Sequence, residues 1–317
     1  MRRPIDRTVG LFSTCAVLVL GGALLGEQII EGGGWEQAFA PSSAGGSIAY
    51  YEVPGAPPTV PLVVVSGGPG SDHRYMHAGG AFEALARRRR VVMFDQRATG
   101  ASSPAPAEPT IDQWLADIDA VRRALGVETI DLLGHSFGGY LAMSYAVEQG
   151  ERVRSLVLVD SAAPDLEENV QLLAEIYPER AEEWAEVRAG LSERFPAEAI
   201  ALFFSMEFVD PAWLERYLEH VSGLTYDIGV NNALRRDMER RALADRVGEI
   251  VQPVLVLHGR HDAVLAPVTS WKIHRELTDS RFQVIEQSGH MPFVERPEEF
   301  VAAVAAFLAQ IDAVRAE

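Results

Sequence analysis

The sequence predicts an α/β protein built on a mostly parallel sheet. Short, continuous apolar runs such as Pro61–Ser66 (PLVVVS), Val91–Asp95 (VVMFD) and Ser155–Asp160 (SLVLVD) are typical of strands covered on both faces. Between such runs, apolar residues recur at helical spacing, as they do from Ile111 to Leu125. Strands that alternate with helices along the chain favour a mostly parallel sheet.

Composition and charge narrow the class of protein. The chain has 317 residues, 48% of them hydrophobic, which suits one α/β domain with an insertion as well as two smaller domains. The formal net charge of -17 argues against nucleic acid as a partner, because an acidic surface does not neutralise phosphates. The single cysteine, Cys15, allows neither an intrachain disulfide nor a cysteine-based metal site.

Residues 1–30 are predicted to be a signal peptide or a membrane anchor. The first seven residues carry three arginines, and Thr8–Gly26 contains no charged residue. A positive start followed by an apolar stretch is typical of both kinds of segment, so the protein is expected to be exported or held at the membrane. A buried N-terminal helix is the alternative. Residues 31–46, rich in Gly, Ser and Pro, predict a linker before a folded body that begins near Ser47.

The predicted core consists of residues 47–160 and 251–317, with further strands at Ser47–Val53, Val254–His258 and Arg281–Ile285. Residues 161–250 interrupt the strand pattern and are helical in character, which predicts an inserted helical cap. This segment contains 19 acidic residues and nine arginines, a net charge of -10.

A nucleophile is predicted at Ser136. The apolar run Thr129–Leu133 passes directly into Gly134-His135-Ser136-Phe137-Gly138 and then into a helical segment. This G-x-S-x-G pattern places a serine on a tight strand-to-helix turn, where flanking glycines let neighbouring backbone come close. A serine that merely starts a helix is the alternative interpretation.

An acid and a base follow in the order that such a serine needs. Asp262 comes after the predicted strand Val254–His258, and His290 comes after Arg281–Ile285. His290 is expected to take the proton of Ser136, and Asp262 to orient the histidine and stabilise its positive charge. An ordinary loop aspartate and a helix-capping histidine are the alternatives, but the shared order and positions make that coincidence improbable.

An oxyanion hole is predicted from two backbone N–H groups, those of Phe137 and Gly68. Gly68 lies in the glycine-rich loop Ser66–Gly70, which follows a strand. A phosphate-binding loop is disfavoured there because no Lys-Ser/Thr pair follows. Since a Ser-Asp-His triad needs no cofactor, neither an organic cofactor nor a metal is expected.

From about Ser47 onward the chain resembles the α/β-hydrolase superfamily, and within it the proline iminopeptidase group. The group has a His-Gly-Gly-Pro-Gly loop, here Ser66–Gly70 with serine for histidine, and an Asp-Gln-Arg-Gly-x-Gly-x-Ser stretch, here Asp95–Ser102 with Ala98 for glycine. The resemblance implies an α/β-hydrolase fold with a helical cap. Asp95, Gln96 and Arg97 are expected to hold the loops around the site. Relatives with an aspartate nucleophile are set aside because residue 136 is serine.

The resemblance further implies a serine aminopeptidase that releases an N-terminal proline from a short peptide or related small molecule through an acyl-enzyme. Cap glutamates bind the free amine in the family, and Glu207 and Asp227 are the candidates here; a solvated helix face is the alternative for each. A carboxylesterase, lactonase or carbon–carbon bond hydrolase remains open, as does an inactive binding protein. The sequence does not predict the oligomeric state.

Overall fold

The fold is an eight-stranded sheet with helices on its faces. The computed structural model describes residues 34–189, 197–221 and 227–314. The strands are β1 (Glu36–Pro41), β2 (Ser47–Glu52), β3 (Leu62–Val65), β4 (Val91–Phe94), β5 (Ile130–His135), β6 (Val153–Val159), β7 (Val254–Gly259) and β8 (Ser280–Ile285). Their order in the sheet is β1-β2-β4-β3-β5-β6-β7-β8. All pairs from β4 to β8 are parallel, whereas β1 and β2 run antiparallel to their neighbours, which confirms the predicted mostly parallel sheet.

The central strands are buried as their composition predicts. Every residue of β3, β4, β5, β6 and β7 is buried, because helices cover both faces of the sheet. The α-helices are α1 (Ala81–Ala86), α2 (Ile111–Ala124), α3 (Phe137–Glu148), α4 (Leu173–Ile176), α5 (Pro178–Ala189), α6 (Ala197–Phe204), α7 (Ala212–His220), α8 (Ile228–Arg240), α9 (Pro267–Glu276), α10 (Pro292–Glu295) and α11 (Pro297–Val314).

The prediction of a linker over residues 31–46 is wrong where β1 lies. Residues Glu36–Pro41 pair antiparallel with β2, so the folded body begins before Ser47. The Gly and Ser residues form a hairpin turn, in which the Ser42 N–H donates to the Gly46 carbonyl at 3.0 Å and Gly45 and Gly46 adopt positive φ. Turn composition and linker composition are alike, and only pairing to a second strand separates them.

The segment between β6 and β7 is helical in the part that the structure describes. It contains α4 to α8 and short 3-10 helices at Leu166–Glu168 and Val247–Glu249. Aromatic rings join its helices: Trp184 and Phe203 lie 5.0 Å apart between centroids, and Phe204 and Tyr217 lie 4.8 Å apart. We call residues 161–250 the helical insertion.

The predicted export or anchor segment, residues 1–30, lies outside the described residues. Within the described ranges, none of the helices combines the length and the apolar character needed to cross a membrane.

Candidate active site

Ser136 occupies a strained turn between β5 and α3. Its φ is 54° and its ψ is -120°, outside the regions that L-residues normally adopt. The turn closes only with glycine on either side: a Cβ at Gly134 would lie 2.2 Å from the Gly138 carbonyl oxygen, and a Cβ at Gly138 would lie 2.2 Å from the Val65 carbonyl oxygen. The sequence therefore places the serine at the carboxyl end of the sheet, where its side chain is only partly buried.

Asp262 and His290 meet at the same edge of the sheet, after β7 and β8. The His290 Nδ1–H donates to Asp262 Oδ2 at 2.6 Å, and Asp262 Oδ1 accepts the N–H groups of Val264 at 2.8 Å and Leu265 at 3.0 Å. Because Nδ1 carries the proton, Nε2 of the neutral imidazole is the proton acceptor. The His290 backbone N–H donates to the Glu207 carbonyl oxygen in the helical insertion at 2.9 Å.

In the Asp262–His290 pair, burial and the charge of the partner shift each pKa in opposite directions. Burial favours a neutral Asp262, but the positive charge of His290 and hydrogen bonds from His258 and His290 hold the pKa of Asp262 well below its ordinary value. Burial likewise disfavours a charged His290, yet the Asp262 carboxylate raises the pKa of His290 above its ordinary value. The arrangement therefore stabilises an imidazolium next to a carboxylate.

A second carboxylate, that of Asp160, lies beside this pair and was not found by sequence reasoning. Asp160 follows β6, and its Oδ1 accepts the Gly259 N–H at 2.8 Å. Oxygen atoms of Asp160 and Asp262 and a ring nitrogen of His258 all lie within 4.8 Å of one another. Burial, followed by the charge of Asp262, raises the pKa of Asp160 well above its ordinary value.

These three donors are of types that bind metal ions, but the imidazole is already engaged. His258 Nδ1 lies 2.6 Å from Ser270 Oγ, and His258 Nε2 donates to the Leu265 carbonyl oxygen at 2.6 Å. Both ring nitrogens are thus hydrogen-bonded within the protein, which leaves no lone pair on His258 for a metal ion. The cluster is better described as support for Asp262.

Gly68 and Phe137, the predicted oxyanion-hole residues, line one cavity with Ser136 and His290. Phe137 is the first residue of α3, so its N–H has no acceptor within the helix. The Gly67 N–H is engaged with the Tyr75 hydroxyl at 2.7 Å, whereas Gly68, at φ 123°, adopts a conformation that L side chains rarely reach. The geometry is consistent with Gly68, rather than Gly67, as the donor from this loop.

Gln96 holds that loop in place, as expected of the Asp95–Arg97 stretch. Its side-chain amide donates to the carbonyl oxygens of Ser66 at 2.6 Å and Gly67 at 3.1 Å. Arg97 forms a buried ion pair with Asp117 at 2.5 Å. Asp95 accepts hydrogen bonds from the Tyr51 hydroxyl and the Ala101 N–H, both at 2.8 Å.

His135 connects the glycine-rich loop to His290, a role that sequence reasoning missed. Its Nε2 donates to the His290 carbonyl oxygen at 2.9 Å, and its Nδ1 accepts the Tyr75 hydroxyl proton at 2.7 Å. Burial and then the charge of His290 lower the pKa of His135 well below its ordinary value, so the ring stays neutral. In the sequence, this role of His135 is indicated by the presence of a polar residue between Gly134 and Ser136.

Glu207 lies in the cavity wall, whereas Asp227 does not. The cavity has a volume of about 610 Å³. Glu207 is only 3% exposed, and its Oε2 has no hydrogen-bond partner among the described residues. Burial raises the pKa of Glu207 to about 8. The candidate Asp227 is wrong as a cavity residue: it is exposed and caps α8 by accepting the Val230 N–H at 3.0 Å, since a carboxylate at this position satisfies a free backbone donor.

Comparison with known proteins identifies the family to which the chain belongs. Residues 60–297 match the family described as the alpha/beta hydrolase fold. The chain therefore belongs to the α/β-hydrolase fold family, and it is a hydrolase.

Individual relatives give a finer likeness. The chain is 30% identical over 290 residues to a proline iminopeptidase of Heyndrickxia coagulans, covering 84% of this chain and 96% of that protein. It is 28% identical over 283 residues to a proline iminopeptidase of Lactobacillus helveticus (83% and 95%). A solved structure of a thermophilic esterase from Thermogutta terrifontis is similar with a TM-score of 0.66 and 25% identity (87% and 99%).

Proposed function

We propose that this chain is a serine aminopeptidase that releases an N-terminal residue, proline by likeness to its relatives, with Ser136, Asp262 and His290 as its catalytic triad. The observation that carries the proposal is the buried carboxyl group of Glu207, which lies in the same cavity as Ser136 and His290 and whose Oε2 has no hydrogen-bond partner among the described residues. A neutral ester carries no positive charge that this group could bind. An exopeptidase needs such a group to bind the free ammonium of its substrate.

The reaction proceeds by acyl transfer. His290 removes the proton of the Ser136 hydroxyl while the oxygen attacks the substrate carbonyl carbon, and Asp262 stabilises the imidazolium that results. The N–H groups of Phe137 and Gly68 donate to the oxyanion. His290 then gives its proton to the nitrogen of the leaving amine as the C–N bond breaks. In the second half of the reaction His290 removes a proton from water while the water oxygen attacks the acyl-enzyme carbonyl, and it returns that proton to the Ser136 oxygen as the ester bond breaks.

Glu207 selects substrates with a positive charge. With a pKa of about 8 the free carboxyl is mostly neutral at pH 7, and a bound ammonium stabilises its ionised form. The buried location strengthens the resulting ion pair, because few water molecules compete for either charge. The helical insertion acts as a cap that supplies this residue and covers the reacting bond.

Glu207→Gln should reduce kcat/KM for Pro-β-naphthylamide by about 10-fold to 150-fold, the range expected for a lost hydrogen bond to a charged group. Glutamine resembles the neutral carboxyl of the free enzyme, so the fold should be retained. Hydrolysis of a neutral nitrophenyl ester should change little, because that substrate does not use the contact.

Glu175→Gln is the matched control, since Glu175 lines the same cavity but is exposed. The activity lost in this variant should be small on both substrates. N-acetylation of the amide substrate should prevent cleavage by the unmodified enzyme. Equal cleavage of free and acetylated substrates would instead favour an esterase, and equal losses on amide and ester would make Glu207 a structural residue.

We further propose that residues 1–30 direct the chain to or across the membrane, because a positive start followed by an uncharged apolar stretch is recognised by export machinery. The full chain and a variant that begins at residue 34 should be expressed in a bacterial host and fractionated. The full chain is expected in the membrane or exported fraction and the shortened chain in the cytosol. Full-length protein confined to the cytosol would overturn the proposal.

A further inference from the structure

Two solvent-exposed arginines line the cavity. Arg188 on α5 and Arg235 on α8 both contribute to its wall. Neither forms an ion pair with a carboxylate in the ranges that the structure describes, although the helical insertion holds 19 acidic residues against nine arginines. Among the described residues that line the cavity, two are acidic, the exposed Glu175 and the buried Glu207, and neither forms an ion pair with these guanidinium groups.

Arg235 is held next to the glycine-rich loop. Its Nε–H donates to Asn231 Oδ1 at 3.2 Å, and the Asn231 side-chain amide donates to the Pro69 carbonyl oxygen at 3.1 Å. Four residues of α-helix advance by about 6 Å, so Arg235 lies about one turn of α8 beyond the contact with the loop that carries Gly68. Asn231 therefore links the Arg235 guanidinium to the loop that carries the predicted oxyanion-hole residue Gly68.

The two guanidinium groups also influence each other. Loss of hydration and then the positive charge of Arg188 lower the pKa of Arg235, against an opposing effect of the Glu239 carboxylate. Like charges that share one cavity repel, and the repulsion is relieved when an anion binds between or beside them. Their N–H groups match the geometry of a carboxylate, which a guanidinium binds through two parallel hydrogen bonds.

We propose that Arg188 and Arg235 form a subsite for the free α-carboxylate of a short peptide, so that the preferred substrates are di- and tripeptides with both termini free. This inference rests on the proposed aminopeptidase function, in which Glu207 binds the ammonium end. An extended chain spans at most about 3.6 Å per residue, so one or two residues beyond the attacked carbonyl cover a distance of about one helical turn.

Pro-Ala and Pro-Ala-amide separate the charged and neutral forms of one substrate. The unmodified enzyme should show a kcat/KM for Pro-Ala at least about tenfold above that for Pro-Ala-amide. Arg235→Gln and Arg188→Gln should each lower this ratio toward one while leaving cleavage of the amide nearly unchanged. Arg236→Gln is the matched control, because Arg236 neighbours Arg235 on α8 but does not line the cavity. A ratio near one, or a ratio that both cavity variants leave intact, would overturn the subsite.

A second substrate pair keeps this test independent of peptidase activity. If no peptide is cleaved, the proposed aminopeptidase function fails, and 4-acetoxybenzoate is then compared with its methyl ester, which lacks the carboxylate on the leaving group. A preference for the acid that Arg235→Gln removes and Arg236→Gln retains would support an anion subsite in an esterase. Absence of that preference would overturn the subsite as well.

Discussion

Ser136→Ala is expected to abolish acyl transfer to amide and ester substrates alike. The strained turn presents one hydroxyl at the carboxyl end of the sheet, and Ser136→Ala removes this proposed nucleophile from the cavity. The loss should reach at least about 10⁴-fold in kcat, because triad members act as a unit. The measurement is steady-state hydrolysis of Pro-β-naphthylamide and a nitrophenyl ester, with a fluorophosphonate probe to report labelling of Ser136.

The control for Ser136→Ala is the thermal unfolding transition, which should remain near that of the unmodified enzyme since the change deletes only one partly buried hydroxyl. Activity within about tenfold of the unmodified enzyme would remove Ser136 from the mechanism. Failure of the probe to label the unmodified chain would revive the interpretation as an inactive binding protein.

Asp262→Asn is expected to lower kcat by about 10⁴-fold, the effect known for this change in serine protease triads. An asparagine amide that donates to His290 Nδ1 would leave the proton on Nε2, where it blocks acceptance of the Ser136 proton. It would also remove the negative charge that raises the pKa of His290. The measurement is kcat on the ester, for which the Glu207 contact is irrelevant.

An alternative in which Asp160, and not Asp262, orients His290 can be tested. Asp160 lies close to Asp262, but burial raises its pKa well above the ordinary value and its Oδ1 accepts the Gly259 N–H, so it should not replace Asp262. A small loss in Asp262→Asn that becomes large only when Asp160→Asn is added would show that Asp160 orients His290 instead.

The sequence predicts those site residues that belong to a local pattern, such as a glycine-flanked turn or a loop directly after a strand. Ser136 was identified because its turn requires glycines at fixed spacing, and Asp262 and His290 because each follows a strand in the expected order. In contrast, Asp160 and His135 acquire meaning only from partners that are distant in sequence, such as Tyr75 for His135. Such partners leave no periodic signal in the chain.

The two acidic candidates of the helical insertion also could not be distinguished from the sequence. Glu207 and Asp227 both lie in a helical, acidic stretch, and composition does not separate them. The structure separates them. Glu207, which follows α6 in the chain, lines the cavity, whereas Asp227 precedes α8 and accepts a hydrogen bond from its backbone. Strand β1 was missed for a related reason, since an edge strand needs a partner more than it needs an apolar composition.

The peptide bond, rather than the side chain, of residue 207 supports the histidine loop. The His290 N–H donates to the Glu207 carbonyl oxygen at 2.9 Å, while the His290 carbonyl accepts from His135 at 2.9 Å. Any amino acid supplies a carbonyl, so under the proposed function a substitution at 207 changes which substrates are accepted while His290 keeps its backbone support. Specificity and catalysis are thus separable at one position, and homologues or engineered variants that differ there should diverge in substrate preference before they lose turnover.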